Sequence, residues 1–550
     1  MTLAASLFLT VSCKEDFGNI NTDPSIVTTP DPKYLFTYSL DNLASYKGTE
    51  WVWESLEQLL RFSQHVTTDP YELSTNINSR YGAYYTNILP NLVEIRRQID
   101  AKKDKNRYQK MRAATYVLGI YHGLRVTDLN GSMPYTQAIQ GRSEQNYTPV
   151  YDSQKTLYDT WLAELTAAIS TLAGSLDDQE SYGNADIFYH SDWAKWVKLA
   201  NTLKLRIALR YEGQDKTKTG QIFKEVMADA TGPIVEDGDQ FAYLDPDYDP
   251  IGGAIDYRST RYATNSIITF LKATNDPRLK IYFTANDLTA SALDTVKKYN
   301  LTLPSFIKIN DPLIRYQGGP ADWTTNQAVA QYYKNPFNAG TNKYVLMSAI
   351  NRPFFAPRRN GATGTFHDYM VTSAETCFYI AEMMAKGYGN GINTKGTLEY
   401  WYNKGITSSM KTMNAIAIAA LSTTGLTSAA DAEIAAYLNQ PTVKLNGAND
   451  LERVYIQQYL NFMRLPTEAF TFVRRTGYPK NNSTYYTRDA FNELIPRRFW
   501  IDEPPLGTNN ENWRKAQAEQ GFTPNDHTPQ ALSTQRLWFD KNNPAFGQGN

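Results

Sequence analysis

Residues 193–211 read WAKWVKLANTLKLRIALRY. Trp193, Trp196, Val197, Ala200, Leu203 and Ile207 recur at three- and four-residue steps, which gathers them on one face of an α-helix, while Lys198, Thr202, Arg206 and Arg210 line another. Ser191 or Asp192 stands just ahead, where a short side chain can cap the first free amides. The stretch is an amphipathic core helix. Working outward, the same period runs through 81–101, 108–126, 154–172, 373–387, 398–413 and 452–463. The neighbours 373–387 and 398–413 have roughly the length and spacing of a tetratricopeptide unit, in which stacked helical hairpins share one core. The predicted fold class is mostly α, with tetratricopeptide-like helix pairs forming one scaffold that carries long irregular loops. Between about 232 and 371 the helical period fades into Gly, Pro, Asp and aromatic residues, and a second irregular stretch runs from Thr476 to the end.

The bulk numbers narrow the function. Of 550 residues, 42% are hydrophobic and 20% charged, so the chain is neither disordered, collagenous nor a multi-span membrane protein. The 55 basic and 56 acidic residues give a net charge of −1, which offers no footprint for a phosphate backbone and argues against nucleic acid as a partner. The outliers are 38 Tyr and 10 Trp, whose flat apolar faces and polar edges suit binding surfaces.

Residues 1–12, MTLAASLFLTVS, are an apolar run ending in small residues directly before Cys13, and read as a lipoprotein signal peptide, with Thr10 where a lipobox usually carries Leu. Lys14, Glu15 and Asp16 resemble the Lys-plus-acidic signal that sends Bacteroidetes lipoproteins to the cell surface. Acylation of Cys13 would supply several chains and a stable membrane anchor. No other run approaches the ~18 apolar residues of a membrane-spanning helix. Residues 13–32, rich in Asn, Thr, Asp and Pro, read as a lipid-anchored tether. Residues 33–550 read as a single domain with ligand-binding insertions around 232–371. With Cys13 acylated, Cys377 is the remaining one of two cysteines, and it reads as a buried thiol in a helix.

Several segments, in order, resemble the SusD/RagB family, in its branch of starch-binding, outer-membrane-associated proteins. They are Asn21-Thr22-Asp23-Pro24, the helix leading to Met133-Pro134-Tyr135, Leu199 to Arg206, and Asp276-Pro277-Arg278-Leu279. Toward the C-terminus come Arg474-Arg475-Thr476-Gly477-Tyr478-Pro479, Ile495-Pro496-Arg497-Arg498, then Asn509, Asn512, Trp513, Ala516 and Leu537-Trp538-Phe539. The resemblance spans nearly the whole chain. Two motifs depart from the family's pattern: Gly131-Ser132-Met133-Pro134-Tyr135 stands for Gly-Asp-Val-Pro-Tyr, and Trp500-Ile501-Asp502-Glu503-Pro504 for Tyr-Pro-x-x-Glu. The resemblance implies a helical surface protein of the outer membrane that sits as a lid over a SusC-type TonB-dependent barrel and holds extracellular oligomers for import.

Enzyme signatures are poor. The histidines at 65, 122, 190, 367 and 527 are scattered without a His-Glu-x-x-His, which argues against a zinc hydrolase. Ser408-Ser409-Met410-Lys411 fits Ser-x-x-Lys, but Lys218-Thr219-Gly220 precedes it and no Ser-Asp-Asn occurs. Asp245, Asp247, Asp249 and Asp256 alternate as a calcium loop would, yet Pro250 takes the place where a glycine is needed, so the stretch reads as a weak calcium site or an acidic turn. No other cofactor is expected.

Sugar capture calls for exposed aromatics, which stack on the C–H face of a pyranose, beside hydrogen-bonding side chains on loops of a rigid scaffold. Three regions fit: Tyr316, Trp323 and Asn326 with Gly318, Gly319 and Asp322; Tyr248, Tyr257, Arg258 and Arg261; and Trp53 and Tyr71 with Trp51, Asp69 and Arg80. The expected function is capture of oligosaccharides without catalysis. Peptide capture for the same type of transporter, a surface glycosidase built on two facing carboxylates, and a purely structural assembly subunit are the alternatives.

Overall fold

The computed structural model describes residues 30–44, 50–67, 76–245, 261–322, 337–339, 342–355 and 365–549. Asp31 accepts from the amide of Lys33 and Pro32 pre-sets the backbone, and together they start α1 (Pro32–Asp41). A π-helical segment, Glu50–Leu59, and the short strand β1 (Val66–Thr67) follow. Next come α2 (Leu89–Asp100), α3 (Gln109–Asn130), α4 (Gln154–Ala173), α5 (Trp193–Tyr211) and α6 (Lys216–Ala228), each packed against the one before. This is the expected array of helical hairpins. Asp192 is the cap of α5, its carboxylate accepting from the Lys195 amide.

After an irregular stretch, α9 (Ser373–Ala385) and α10 (Leu398–Ala419) form the hairpin predicted at 373–413, and α9 also packs on α5 and on α12 (Asp450–Asn461). Between them and the first array lie β2 (Phe241–Asp245), β3 (Tyr262–Ala263), α7 (Asn265–Ala273), α8 (Ala290–Lys298), β4 (Phe337–Ala339), β5 (Asn342–Tyr344) and β6 (Phe366–Val371). The chain closes through α11 (Ala430–Leu438), α13 (Pro466–Thr476) and α14 (Asn510–Gln520). One buried cluster runs from Phe36 to Phe539, so both arrays share a core. No helix among the described residues is long and apolar enough to cross a membrane.

Two expectations need correction. Residues 232–371 are less irregular than their period suggests, since α7, α8 and a helical turn at Arg278–Tyr282 lie inside the stretch. β2 and β6 pair antiparallel, from Phe241↔Val371 to Asp245↔Phe366, so the two ends of the stretch lie side by side, and Ile267, Leu271, Ile281, Tyr282 and Phe354 within it join the main core. Within it, Tyr262, Leu288, Ile307, Ile314, Leu346 and Met347 form a small core of their own.

The second correction concerns α5, where Thr202, Arg206 and Arg210 of the polar face are buried as completely as the apolar one. Arg206 makes a two-pronged pair with Glu375 at 2.7 and 2.9 Å, and Arg210 reaches Asp128 at 2.8 Å and Glu468 at 2.8 Å. Tyr379 donates to Glu468 at 2.9 Å, and Tyr158 to Asp128 at 2.9 Å. Burial alone would raise the Glu468 carboxyl, but the guanidiniums of Arg206 and Arg210 outweigh it and hold the group at about 2. Planar guanidiniums suit this role, because each can satisfy several acceptors at once in a dry interior. Helices far apart in sequence are thus joined through ion pairs as well as through apolar packing.

Candidate functional site

Thr67, at the end of β1, pairs with Tyr262 in β3, and Val66 pairs with Ala263. The amide of Gly319 donates to the Ala263 carbonyl at 2.9 Å, and that of Asn265 to the Gly319 carbonyl at 2.7 Å. Ala263 donates to Ser348, and Ile350 to Arg261, both at 2.9 Å. Backbone from four separate parts of the chain therefore meets in one small platform. A Cβ on Gly318 would lie 2.5 Å from the Thr264 carbonyl oxygen and 2.5 Å from Asn265 Cα, so this close approach requires glycine.

The platform matters because of what it flanks. Segment 68–75 carries Tyr71, 246–260 carries Tyr248, Tyr257 and Arg258, and 323–336 carries Trp323 and Asn326. These residues lie outside the described part of the chain, as do Cys13 and the calcium candidates Asp247, Asp249 and Asp256, while Asp245 ends β2. Their described neighbours Thr67, Arg261 and Gly319 to Asp322 are held together by the pairings above. Asp322 is buried, and its carboxylate accepts from the amide of Asn492 at 2.8 Å, which ties in the segment after α13.

Of the described ligand candidates, Trp53 is half-buried in the π-helical segment and packs on the main core. Tyr316 is also half-buried, and its carbonyl accepts from Lys272 Nζ at 3.1 Å. Arg261 corrects the expectation for it: the residue is 1% exposed and ion-paired with Glu57. Burial lowers its guanidinium to about 10. Composition could not distinguish such an anchor from a solvent-facing arginine. Arg80 is likewise interior, pairing with Glu50 at 2.9 Å and Glu54 at 3.2 Å.

Two described carboxylates near the platform have structural partners: Glu57 serves Arg261 and Glu493 serves Arg61. Ser408 bonds Ser373 and Asp237, whereas Lys411 turns outward to Asp431 at 2.7 Å, so the Ser-x-x-Lys match does not assemble. His65 is buried between Ser63 Oγ at 2.9 Å and the Tyr459 carbonyl at 2.7 Å, and burial lowers it to about 4. Among the described residues, no three His, Cys, Asp or Glu side chains are grouped to hold a metal ion.

Sequence reasoning missed a half-open pocket of about 40 Å³ bordered by Trp51, Tyr121, Arg125, Arg464 and Asp368. It has room for about one water and not for a sugar. Asp368 is 8% exposed, and burial pushes its carboxyl up to about 6 against the pull of Arg464 and Arg125.

A family model described as starch-binding and associating with the outer membrane matches residues 24–501. No curated protein matches by sequence. Among solved structures, a chitin-binding protein superposes with a TM-score of 0.68 at 21% identity, covering 93% of this chain and 100% of its own. A chitin-binding SusD homologue from Flavobacterium johnsoniae gives 0.66 at 20%, covering 93% and 99%. A SusD homologue from Bacteroides fragilis gives 0.67 at 18%, covering 92% and 99%. At these identities the superpositions establish a common fold.

Proposed function

The chain belongs to the SusD-like family of starch-binding proteins that associate with the outer membrane, and from that premise we propose that it captures oligosaccharides at the cell surface and delivers them to a SusC-type TonB-dependent transporter. Cys13 is the proposed lipid anchor that keeps it there. Capture needs no chemistry on the ligand, and each contact can be weak while the transporter closes the space.

The observation that carries this reading is the convergence at the platform. Three aromatic-bearing segments, picked from composition and far apart in sequence, are flanked by residues that pair directly, Thr67 with Tyr262 and Ala263 with Gly319. Flat ring faces and amide or guanidinium edges gathered on a rigid base are what a pyranose chain requires. Trp323, Asn326, Tyr248, Tyr257, Arg258, Tyr71, Trp53 and Tyr316 are the proposed contacts. Chitin and starch fragments are the first ligands to try, because solved relatives bind chitin and the family model describes starch binding.

The test is a calorimetric titration of the soluble chain, starting after Asp16, with chito- and malto-oligosaccharides and a mixed peptide pool, repeated with Trp323→Ala. Saccharide binding that Trp323→Ala weakens at least tenfold supports the reading. Binding confined to peptides moves the function to peptide capture, and turnover of the saccharide moves it to a glycosidase. Repeating the titration with a calcium chelator decides whether Asp245, Asp247, Asp249 and Asp256 hold a metal that the site needs.

A further inference from the structure

A groove of about 740 Å³ lies on the helical scaffold, between α2, α3, α4 and the turn after Met133-Pro134-Tyr135, within the size range of small-ligand sites. Arg97 and Arg112 line it but are neutralised in place, Arg97 by Glu94 at 2.6 and 2.7 Å and Arg112 by Asp100 at 3.0 and 3.1 Å. Arg96 is different. Its guanidinium stacks over the Tyr116 ring at 4.2 Å, and no hydrogen bond or ion pair to the described residues uses its N–H edge. Stacking fixes the plane of the guanidinium and leaves its in-plane donors free to bond a ligand in the groove that Arg96 lines.

Glu164 stands on the α4 wall, where one of its oxygens accepts from the Tyr135 hydroxyl at 2.5 Å. No ion pair joins Glu164 to Arg96. A charged donor and a charged acceptor thus share a groove with bonding capacity to spare. Arg142 and Glu144, the other uncommitted charges of the lining, cancel each other, so the groove has no net charge to attract an anion.

The wall carrying Tyr135 is built, not incidental. The Asp152 carboxylate accepts from the amides of Tyr135 and Thr136, both at 2.9 Å, and from the Thr136 hydroxyl at 2.7 Å. Further along the turn, Ile139 sits at φ 60°, a left-handed conformation that a β-branched residue rarely adopts and that collects at binding sites.

We propose that this groove is a second saccharide site, separate from the platform, in which neighbouring hydroxyls of a neutral sugar bridge the Arg96 guanidinium and the Glu164 carboxylate. A hydroxyl both donates and accepts, so a vicinal diol satisfies both walls at once, whereas an anion meets Glu164 and a cation meets Arg96. The proposal rests on the oligosaccharide reading given above.

The experiment uses the same soluble chain and the same chito- and malto-oligosaccharides. Two saccharides should bind per chain. The groove site should survive Trp323→Ala, weaken at least tenfold in Arg96→Met and in Glu164→Gln, and disappear in Thr160→Trp, which fills the groove from α4. Circular dichroism identifies any variant that fails to fold, and Thr160→Trp tests the groove by bulk without altering either charged wall. One saccharide per chain, lost in Trp323→Ala and unmoved by the groove variants, would overturn this proposal and leave the capture reading standing. Binding of no saccharide by the unmodified chain overturns both. Groove binding restricted to an anionic polyuronate would overturn the neutral-sugar assignment.

Discussion

Asp276 and Arg278 flank Pro277 and fold back on each other as a two-pronged ion pair, at 2.6 and 2.9 Å, with both side chains fully buried. Arg278 also donates to Gln457 at 2.7 Å and to Ser409 at 3.2 Å, and Tyr437 donates to Asp276 at 2.8 Å. A turn of three residues thereby ties α10, α11 and α12 together. Removing one partner of such a pair strands a charge in the interior, which costs about 3–5 kcal/mol. Asp276→Asn should lower the urea midpoint accordingly. Asp276→Asn with Arg278→Met should recover part of the loss, and a double variant no better than the single would refute the pairing as the cause.

Acid should unfold the protein through its buried carboxylates. Arg475 and Lys386 overcome burial to hold Glu382 at about 2, as Arg206 and Arg210 do for Glu468, against an ordinary value of 4.5. A depressed carboxyl contributes stability that is full above its unfolded value and is lost as pH falls through the folded one. The contribution of each is on the order of 3 kcal/mol. Thermal midpoints should fall steeply between pH 4.5 and 2, and Glu382→Gln should flatten that fall while lowering the midpoint at pH 7.

Asp368 should act in the opposite direction. Its carboxyl is raised to about 6, so the folded state holds the proton more tightly than the unfolded chain, and stability declines as pH rises from about 4 to 6. At pH 7 the buried charge costs roughly 3 kcal/mol. Asp368→Asn should therefore stabilise the protein at pH 7 and leave it little changed at pH 4. Equal shifts at both values would remove titration of Asp368 from the account.

Gly318→Ala tests the platform. The added methyl group meets the backbone at Thr264 and Asn265, which cannot yield as a side-chain tip would. Amide exchange at Asn265 and Gly319 should quicken at least tenfold, and saccharide affinity should drop, while the ion pairs around α5 keep their protection. Unaltered exchange would mean that the two backbones are not in close contact.

The chain reveals its helices more readily than its contacts. α4, α5 and α9 begin where their periodicity says, because a stripe of apolar residues and a capping Ser, Asp or Thr are local signals. Helix α7, NSIITFLKA, went unread because nine residues are too short a run to tell a buried helix from a strand. Arg206 and Glu375 lie 169 residues apart, and nothing near Arg206 tells an arginine that will be buried from one that will be solvated. Arg261 was misjudged for the same reason. The motif residues Asp276, Arg278, Arg474 and Arg475 stand out in the sequence without their purpose, which is to satisfy one another's helices inside the core. For the candidate site, composition selected the aromatic segments, but only the pairing of Thr67 with Tyr262 brings their flanks together.

The pairing of β2 with β6 sets how this molecule can change. It sets the two ends of the intervening stretch side by side, and the described part of that stretch rejoins the helical arrays through Arg261 with Glu57 and Arg278 with Gln457 and Ser409, while Tyr262, Leu288, Ile307, Ile314, Leu346 and Met347 keep a small apolar centre of their own. Exchange of residues around that small centre leaves the ion pairs of Arg206 and Arg210 undisturbed, whereas exchange of Arg261, Asp276 or Arg278 strands a buried charge. Change around the small centre can thus accumulate without rebuilding the frame, and change at the buried pairs cannot.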